Sequence, residues 1–134
     1  MGIRFKFKAN RPRVVGSTDI KPYWKVIEDI VNVSDIVLEI LDARMPELSR
    51  NSEIEELVKR KDKKLILILN KIDLISKDSL NAIEDRLKKE NVVISISPKS
   101  RYGVKNLRDY IFMEGKKSED IKIGVLGYPN TGKS

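Results

Sequence analysis

Eight residues near the C-terminal end of the sequence have the types and the spacing that bind phosphate. Residues 127–134 read Gly-Tyr-Pro-Asn-Thr-Gly-Lys-Ser and follow an apolar run at 121–126. In such a loop the glycines let backbone N–H groups converge on phosphate oxygens, the lysine adds a positive charge, and the serine hydroxyl binds Mg²⁺. Without the helix that should follow, the pattern also fits a glycine-rich turn. We predict phosphate contacts from Gly127, Asn130, Thr131, Gly132, Lys133 and Ser134, with Ser134 as a Mg²⁺ ligand.

A second motif has the chemistry to read guanine. Residues 70–73 are Asn-Lys-Ile-Asp, directly after an apolar run at 64–69. Guanine presents two N–H donors, at N1 and at the exocyclic amine, and the Asp73 carboxylate can accept both. Adenine lacks this pair and would leave the carboxylate unpaired. We expect Asn70 to brace neighbouring loops and Lys71 to lay its stem along the base. The same four residue types also suit an ordinary turn after a strand.

A third segment, residues 97–104, follows an apolar run at 92–96 and reads Ser-Pro-Lys-Ser-Arg-Tyr-Gly-Val. It resembles the Ser-Ala-Lys loop of Ras-like GTPases, in which the alanine N–H binds guanine O6. Here that position is Pro98, which has no N–H. The contact to O6 must therefore come from the Lys99 N–H, or the register shifts to Ser95-Ile96-Ser97. We assign Ser97, Pro98 and Lys99 to the guanine site.

Four apolar runs predict the sheet that positions these motifs. They span 35–41, 64–69, 92–96 and 121–126 and are nearly continuous rather than alternating, which is typical of parallel strands covered on both faces. Segments with helical spacing separate them, over about 20–32, 52–60, 77–90 and from 104 onward, with Ser52 and Glu55 as a possible capping box. The alternation predicts an α/β fold of three layers, αβα. The predicted spatial order is 121–126, 35–41, 64–69, 92–96, with 121–126 as an apolar edge.

The order of the motifs along the chain is unusual. In an ordinary GTPase the phosphate loop precedes Asn-Lys-x-Asp, whereas here Asn70 precedes Gly127. Either the chain joins the tail of one GTPase to the start of another, or one domain is circularly permuted. Residues 1–35 contain no phosphate loop of their own, and the short linker around 113–120 can join neighbouring ends of one domain. Both observations favour permutation.

Residues 42–51 carry the resemblance to a particular family. They read Asp-Ala-Arg-Met-Pro-Glu-Leu-Ser-Arg-Asn and resemble the Asp-Ala-Arg-x-Pro…Ser-x-Asn signature of the circularly permuted YlqF/YawG GTPases, whose phosphate loop is also similar to 127–134. The resemblance covers about residues 20–134. It implies a circularly permuted Ras-like P-loop domain, here with four parallel strands and without the switch segments. It also implies a GTPase acting in assembly of the large ribosomal subunit, and a possible K⁺ ligand at Asn130.

Composition narrows the remaining choices. The chain has 134 residues, a formal charge of +7, and neither cysteine nor histidine, so a metal site must use oxygen ligands, as Mg²⁺ does. No stretch reaches the roughly 20 apolar residues of a membrane span, and we expect a cytoplasmic protein. The charge favours a polyanionic partner such as ribosomal RNA. We divide the chain into a basic arm, 1–19, and the domain, 20–134. The arm's basic residues also fit a plain solvated terminus: Arg4, Lys6, Lys8, Arg11 and Arg13.

Three functional hypotheses remain at this point. The first is a protein that binds GTP and GDP, with hydrolysis expected in the full-length protein and impaired in a chain ending at Ser134. The second is a non-catalytic RNA-binding module with a remnant nucleotide site. The third, an ATP-using enzyme, is disfavoured by Asp73. The sequence identifies no catalytic base.

Overall fold

The computed structural model describes residues 2–5, 21–97, 99–114 and 120–127. Strands and helices alternate along most of this chain. The strands are β1 (Gly2–Phe5), β2 (Ile36–Asp42), β3 (Lys64–Asn70), β4 (Val92–Ser95) and β5 (Asp120–Gly127). The helices are α1 (Lys21–Val33), the single turn α2 (Pro46–Ser49), α3 (Ser52–Arg60), α4 (Lys77–Lys88) and α5 (Val104–Glu114), with a 3₁₀ turn at Ile72–Leu74.

The five strands form one parallel sheet in the order β1-β5-β2-β3-β4. The four predicted strands are adjacent in the predicted order, so the α/β prediction is confirmed. The register brings Asp42 beside Asn70, Ile40 beside Gly127 and Leu69 beside Ser95. The carboxyl ends of four strands therefore meet at one edge of the sheet, where open α/β sheets bind their ligands.

The fifth strand, β1, was not predicted. Residues 2–5 were assigned to the basic arm, and 121–126 was expected to be an open edge; instead Gly2–Phe5 pairs in parallel with β5, from Gly2 beside Asp120 to Phe5 beside Ile123. The alternation of Ile3 and Phe5 with Arg4 has the period of a strand, but four residues are too few for the pattern to stand out. The prediction of an exposed 121–126 edge was therefore wrong. Most of the arm, 6–19, lies outside the described residues.

The core lies on both faces of the sheet. Alternate residues of β2, β3 and β5 share one face with Ile111 of α5: Ile36, Leu38, Ile40, Ile66, Ile68, Ile121, Ile123 and Val125. On the other face, Val37 and Leu126 pack against α1 and α3, while Leu67 and Leu69 pack against Leu87 of α4. These are the helix–sheet–helix layers that the continuous apolar runs predicted. In the described part of the chain, no helix is long and apolar enough to cross a membrane.

Candidate nucleotide-binding site

The guanine motif lies where β3 ends. Asn70 is the last residue of β3 and is buried, and its carbonyl accepts a hydrogen bond from the Ala43 N–H at 2.9 Å. Lys71 then adopts the left-handed conformation, with φ 63° and ψ 33°, and Asp73 lies exposed in the 3₁₀ turn. A left-handed residue other than glycine is uncommon and turns the chain sharply. The sheet therefore holds Asn70 in place while the turn exposes the Asp73 carboxylate.

The third motif forms a closed loop beside the second motif. The Ser97 hydroxyl donates a hydrogen bond to Asp73 Oδ1 at 3.2 Å, although the residues are 24 positions apart. Backbone bonds in both directions between Ser97 and Tyr102, at 3.0 and 3.1 Å, tie the ends of the loop together. The next residue is Gly103, with φ 79°, where an added Cβ would lie 1.9 Å from the Ser95 carbonyl oxygen. Only glycine fits there, so the loop and Asp73 form one preorganised surface.

The structure also bears on the register of the third motif. The Ile96 N–H donates to the Leu69 carbonyl at 2.7 Å, and the Ser95 hydroxyl donates to Glu84 at 2.6 Å. In the shifted register, the Ile96 N–H would have to bind guanine O6, but it already belongs to the sheet. The exposed Lys99 stands one residue beyond Pro98, and Pro98 lies outside the described residues.

The 42–51 loop begins with a buried carboxylate. Asp42 is 3% exposed, and its oxygens accept hydrogen bonds from the Arg44 N–H at 2.9 Å, Nε at 3.0 Å and Nη2 at 2.8 Å. The Lys71 Nζ lies 3.5 Å from Asp42 Oδ2. Hydrogen bonds from the Arg44 side chain, helped by its backbone N–H, its charge and that of Lys71, overcome the effect of burial and lower the pKa of Asp42 to about 2. Asp42 is therefore ionised at neutral pH.

The far end of the same loop is fixed by a second buried acid. The Asn51 N–H donates to Glu39 Oε2 at 2.9 Å, and Glu39 is 1% exposed in the middle of β2, beside Leu126 in the register. Burial, followed by a hydrogen bond to Glu55 and the charge of Glu55, raises the pKa of Glu39 to about 9 against the effects of Asn51 and Arg50. Glu39 is therefore neutral at pH 7.

The neighbouring Glu55 keeps its charge. Burial opposes ionisation, but bonds from Arg50 Nε and Nη2, at 3.1 and 2.7 Å, and from Glu39 lower the pKa of Glu55. If Glu39 were ionised, no group among the described residues would donate a hydrogen bond to its Oε1. With a proton, Glu39 can donate a hydrogen bond to the ionised Glu55, which is consistent with one acid being neutral and the other ionised.

The helix that follows does not begin as expected. The predicted capping box paired Ser52 with Glu55, but the side chain of Asn51 caps α3 by accepting from the N–H groups of Glu53 and Ile54, at 3.0 and 3.2 Å. Glu55 instead faces inward to Arg50. The capping-box prediction was therefore wrong, because the buried pair draws Glu55 away from the helix terminus.

The structure brings Asn70, Lys71, Asp73, Ser97 and Lys99 to the edge where Gly127 ends β5. The other predicted phosphate and metal residues lie outside the described part: Asn130, Thr131, Gly132, Lys133 and Ser134.

Sequence reasoning missed Glu39 and the Asp42–Lys71 contact. A lone acid within the apolar run Ile-Val-Leu-Glu-Ile-Leu was the available signal for Glu39. Within the described ranges, no group of three or more acidic side chains is placed to hold a metal ion.

Two solved structures with bound guanine nucleotides or their analogues share this fold. The GDP-bound structure of TM YlqF matches 81% of this chain and 44% of its own, with a TM-score of 0.52 and 22% identity. The elongation factor SelB of Methanococcus maripaludis, in complex with a GTP analogue, matches 71% of this chain and 24% of its own, with a TM-score of 0.55 and 20% identity. At these identities the similarity establishes the fold alone, a parallel α/β fold shared with P-loop GTPases.

Sequence comparison narrows the class to a family. An uncharacterised GTP-binding protein of Methanocaldococcus jannaschii is 44% identical over 115 residues, which is 84% of this chain and 30% of the relative. The GTPase grn1 of Schizosaccharomyces pombe is 32% identical, covering 90% of this chain and 30% of its own. The nuclear GTP-binding protein NUG1 of Saccharomyces cerevisiae is 34% identical, covering 85% and 25%. No family model matches the chain.

The segment belongs to the family of GTP-binding proteins that includes grn1 and NUG1, and the family resemblance drawn from the motifs is confirmed. The chain spans 25 to 30% of the length of these relatives.

Proposed function

We propose that this chain forms the guanine-recognising part of a circularly permuted GTPase domain. The observation that carries the proposal is the 3.2 Å hydrogen bond from Ser97 to Asp73, which joins two motifs at the carboxyl edge of a parallel sheet. Asp73 accepts the N1–H and the exocyclic amine of guanine, and the Lys71 stem covers the base. The Lys99 N–H binds O6, because the Ile96 N–H is already bonded to Leu69.

The position of Gly127 supports our proposal for the phosphate end of the nucleotide. This residue ends β5 beside Ile40, next to the strand that carries the 42–51 loop. From there the loop Gly127, Asn130, Thr131, Gly132, Lys133 and Ser134 binds the phosphates, with Mg²⁺ held by the Ser134 hydroxyl and K⁺ by Asn130. Hydroxyl and amide oxygens suit both hard cations. The intact protein would hydrolyse GTP to GDP and phosphate.

The cellular role rests on the family resemblance. We propose that the intact protein acts in the cytoplasm, in assembly of the large ribosomal subunit, and contacts ribosomal RNA. The formal charge of +7 supports a polyanionic partner. The alternative, an RNA-binding module with a remnant site, is less well supported, because the relatives are named as GTP-binding proteins and because Asp73 and Ser97 still contact each other.

The substitution Asp73→Asn tests base recognition in the intact protein. An amide cannot accept two N–H bonds, so we expect GDP affinity to fall by about 100-fold, the value of a charged hydrogen-bond pair. Xanthosine diphosphate should then bind better than GDP, because xanthine presents an acceptor to the new N–H donor. The measurement is a titration of each nucleotide by calorimetry.

Asp78→Asn is the matched control. Asp78 is exposed in the first turn of α4, five residues from Asp73, and undergoes the same chemical change. It should leave the affinities for both nucleotides unchanged. If Asp73→Asn binds GDP as the wild type does, Asp73 is a turn residue and the proposed function is wrong.

A further inference from the structure

The buried Asp42 carboxylate connects two segments that are separate in sequence. Three of its hydrogen bonds come from Arg44, two residues along the same loop, while the Lys71 ammonium, 3.5 Å away, belongs to the guanine motif. The strands bring them together, because Asp42 and Asn70 are partners at the ends of β2 and β3. A single charge on the 42–51 loop thus faces the lysine of the guanine motif.

The backbone of Lys71 explains why that charge matters. Its left-handed conformation disfavours side chains with a Cβ, so surrounding contacts must hold it. The side chain of Asp42 is 4% exposed and that of Lys71 is 29% exposed. An ion pair that is largely shielded from solvent is screened less by salt than an exposed pair. The contact therefore restrains both the direction of the Lys71 side chain and the turn that presents Asp73.

We infer that Asp42 is a positioning residue for nucleotide binding: it holds Lys71 in the orientation that covers the guanine base and so couples the 42–51 loop to the lifetime of the bound nucleotide. This inference rests on the proposed function. Asp42 does not touch the nucleotide in this account; it acts through Lys71.

The other hydrogen bonds of Asp42 show the alternative, in which Asp42 serves only to close the 42–51 loop. The Asp42 N–H donates to the Ser49 hydroxyl at 3.0 Å, and the Met45 N–H donates to the Asp42 carbonyl at 3.0 Å. These bonds close the loop without the Asp42 charge. If Asp42 served only to close the loop, Asp42→Asn, which loses the bond from Arg44 Nη2, would have the same effect with or without Lys71.

The test measures how fast a fluorescent GDP analogue dissociates from the intact protein. Asp42→Asn keeps an acceptor for the Arg44 N–H but removes the charge facing Lys71, so we expect dissociation to be about tenfold faster. Glu47→Gln is the matched control, because it removes one charge from the same loop at a side chain that is 60% exposed and paired with Arg86 on the surface. The GDP analogue should dissociate from this control variant at the wild-type rate.

A double-mutant cycle separates positioning from general loosening of the loop. In a Lys71→Ala background, Asp42→Asn should change the dissociation rate by less than about twofold, because its partner is gone. The preference of Asp42→Asn for GDP over xanthosine diphosphate should remain that of the wild type, since Asp73 is intact. Equal effects of Asp42→Asn in both backgrounds would contradict the inference.

The outcomes distinguish the inference from the function on which it rests. Wild-type protein that binds no guanine nucleotide contradicts both, whereas wild-type binding with an unchanged Asp42→Asn rate contradicts only the inference. If Asp42→Asn does not fold, Lys71→Met replaces it, since it removes the other charge of the same ion pair and keeps an unbranched stem. That variant should release the nucleotide about threefold faster; a wild-type rate would overturn the inference.

Discussion

At the scale of single residues, the site depends on acids held in opposite protonation states. Asp42 is buried and ionised because it receives three hydrogen bonds from Arg44. Glu39 is also buried, and burial is the largest cause of its raised pKa; it receives one N–H bond and lies beside the ionised Glu55, so it is neutral. At Asp42 three donors overcome the effect of burial, whereas at Glu39 a single donor does not and the charge of Glu55 adds to it.

The raised pKa of Glu39 makes stability depend on pH. The folded chain keeps the proton up to about pH 9, while the unfolded chain loses it near 4.5. The unfolded state therefore binds fewer protons between these values, and the free energy of unfolding should fall as pH rises from 5 to 9. The contribution of neutral Glu39 is complete below pH 4.5 and is lost as pH passes through about 9.

Glu39→Gln tests this dependence. Glutamine keeps an acceptor for the Asn51 N–H and a donor toward Glu55 but cannot ionise. The free energy of unfolding of the variant should therefore fall much less between pH 5 and 9, and at pH 8 the variant should be more stable than the wild type. Urea unfolding at several pH values measures this, and Glu56→Gln, an exposed position on α3, is the control. Parallel curves for wild type and Glu39→Gln would show that Glu39 is ionised in the fold.

At the scale of elements, four of the five described strands were predicted from the sequence, whereas the cap of helix α3 was not. Continuous apolar runs identified β2, β3, β4 and β5, and the motifs that follow three of them fixed which edge carries the site. The predicted cap of α3 was wrong because Glu39 holds both Asn51 and Glu55, which are 12 and 16 residues away. Contacts of that kind exist only after the strand and the helix have packed together.

The two candidate caps of α3 give a direct comparison. Asn51→Ala removes the acceptor for two helix N–H groups and should lower the free energy of unfolding by about 1 kcal/mol. Ser52→Ala, which the capping-box pattern would make the damaging change, should have little effect because Ser52 is the first residue inside the helix. Denaturant unfolding of both variants decides between them. A larger loss for Ser52→Ala would contradict the observed cap.

At the scale of the whole molecule, a parallel sheet gathers segments from all along the chain at one edge. The order β5-β2-β3-β4 was predictable, because each crossover helix forces its two strands to be parallel and the motifs must converge. The addition of β1 was not predictable, since four residues at the start of a basic segment carry little pattern. Its pairing with β5 means that the arm begins inside the sheet.

The basic arm gives a prediction on RNA. Lys8, Arg11 and Arg13 lie outside the described residues and beyond β1, so replacing them with alanine leaves the strand sequence intact. If all three contact phosphates, the slope of log affinity against log salt for an RNA duplex should become shallower by about 2 to 3. The same measurement on Lys59, Arg60 and Lys61, exposed around the end of α3, is the control. An unchanged slope in the arm variant would show that Lys8, Arg11 and Arg13 do not contact RNA and would favour the interpretation as a solvated terminus.

The central claim is that the intact protein binds guanine nucleotides through Asp73 and the loop that begins at Ser97. Calorimetric titration of GDP, GTP and ATP into the intact protein with Mg²⁺ tests it most directly. We expect micromolar or tighter binding of GDP and GTP, and binding of ATP weaker by about 100-fold or more, because adenine leaves the Asp73 carboxylate without its two donors. Equal affinities for ATP and GTP, or no binding of either, would contradict it.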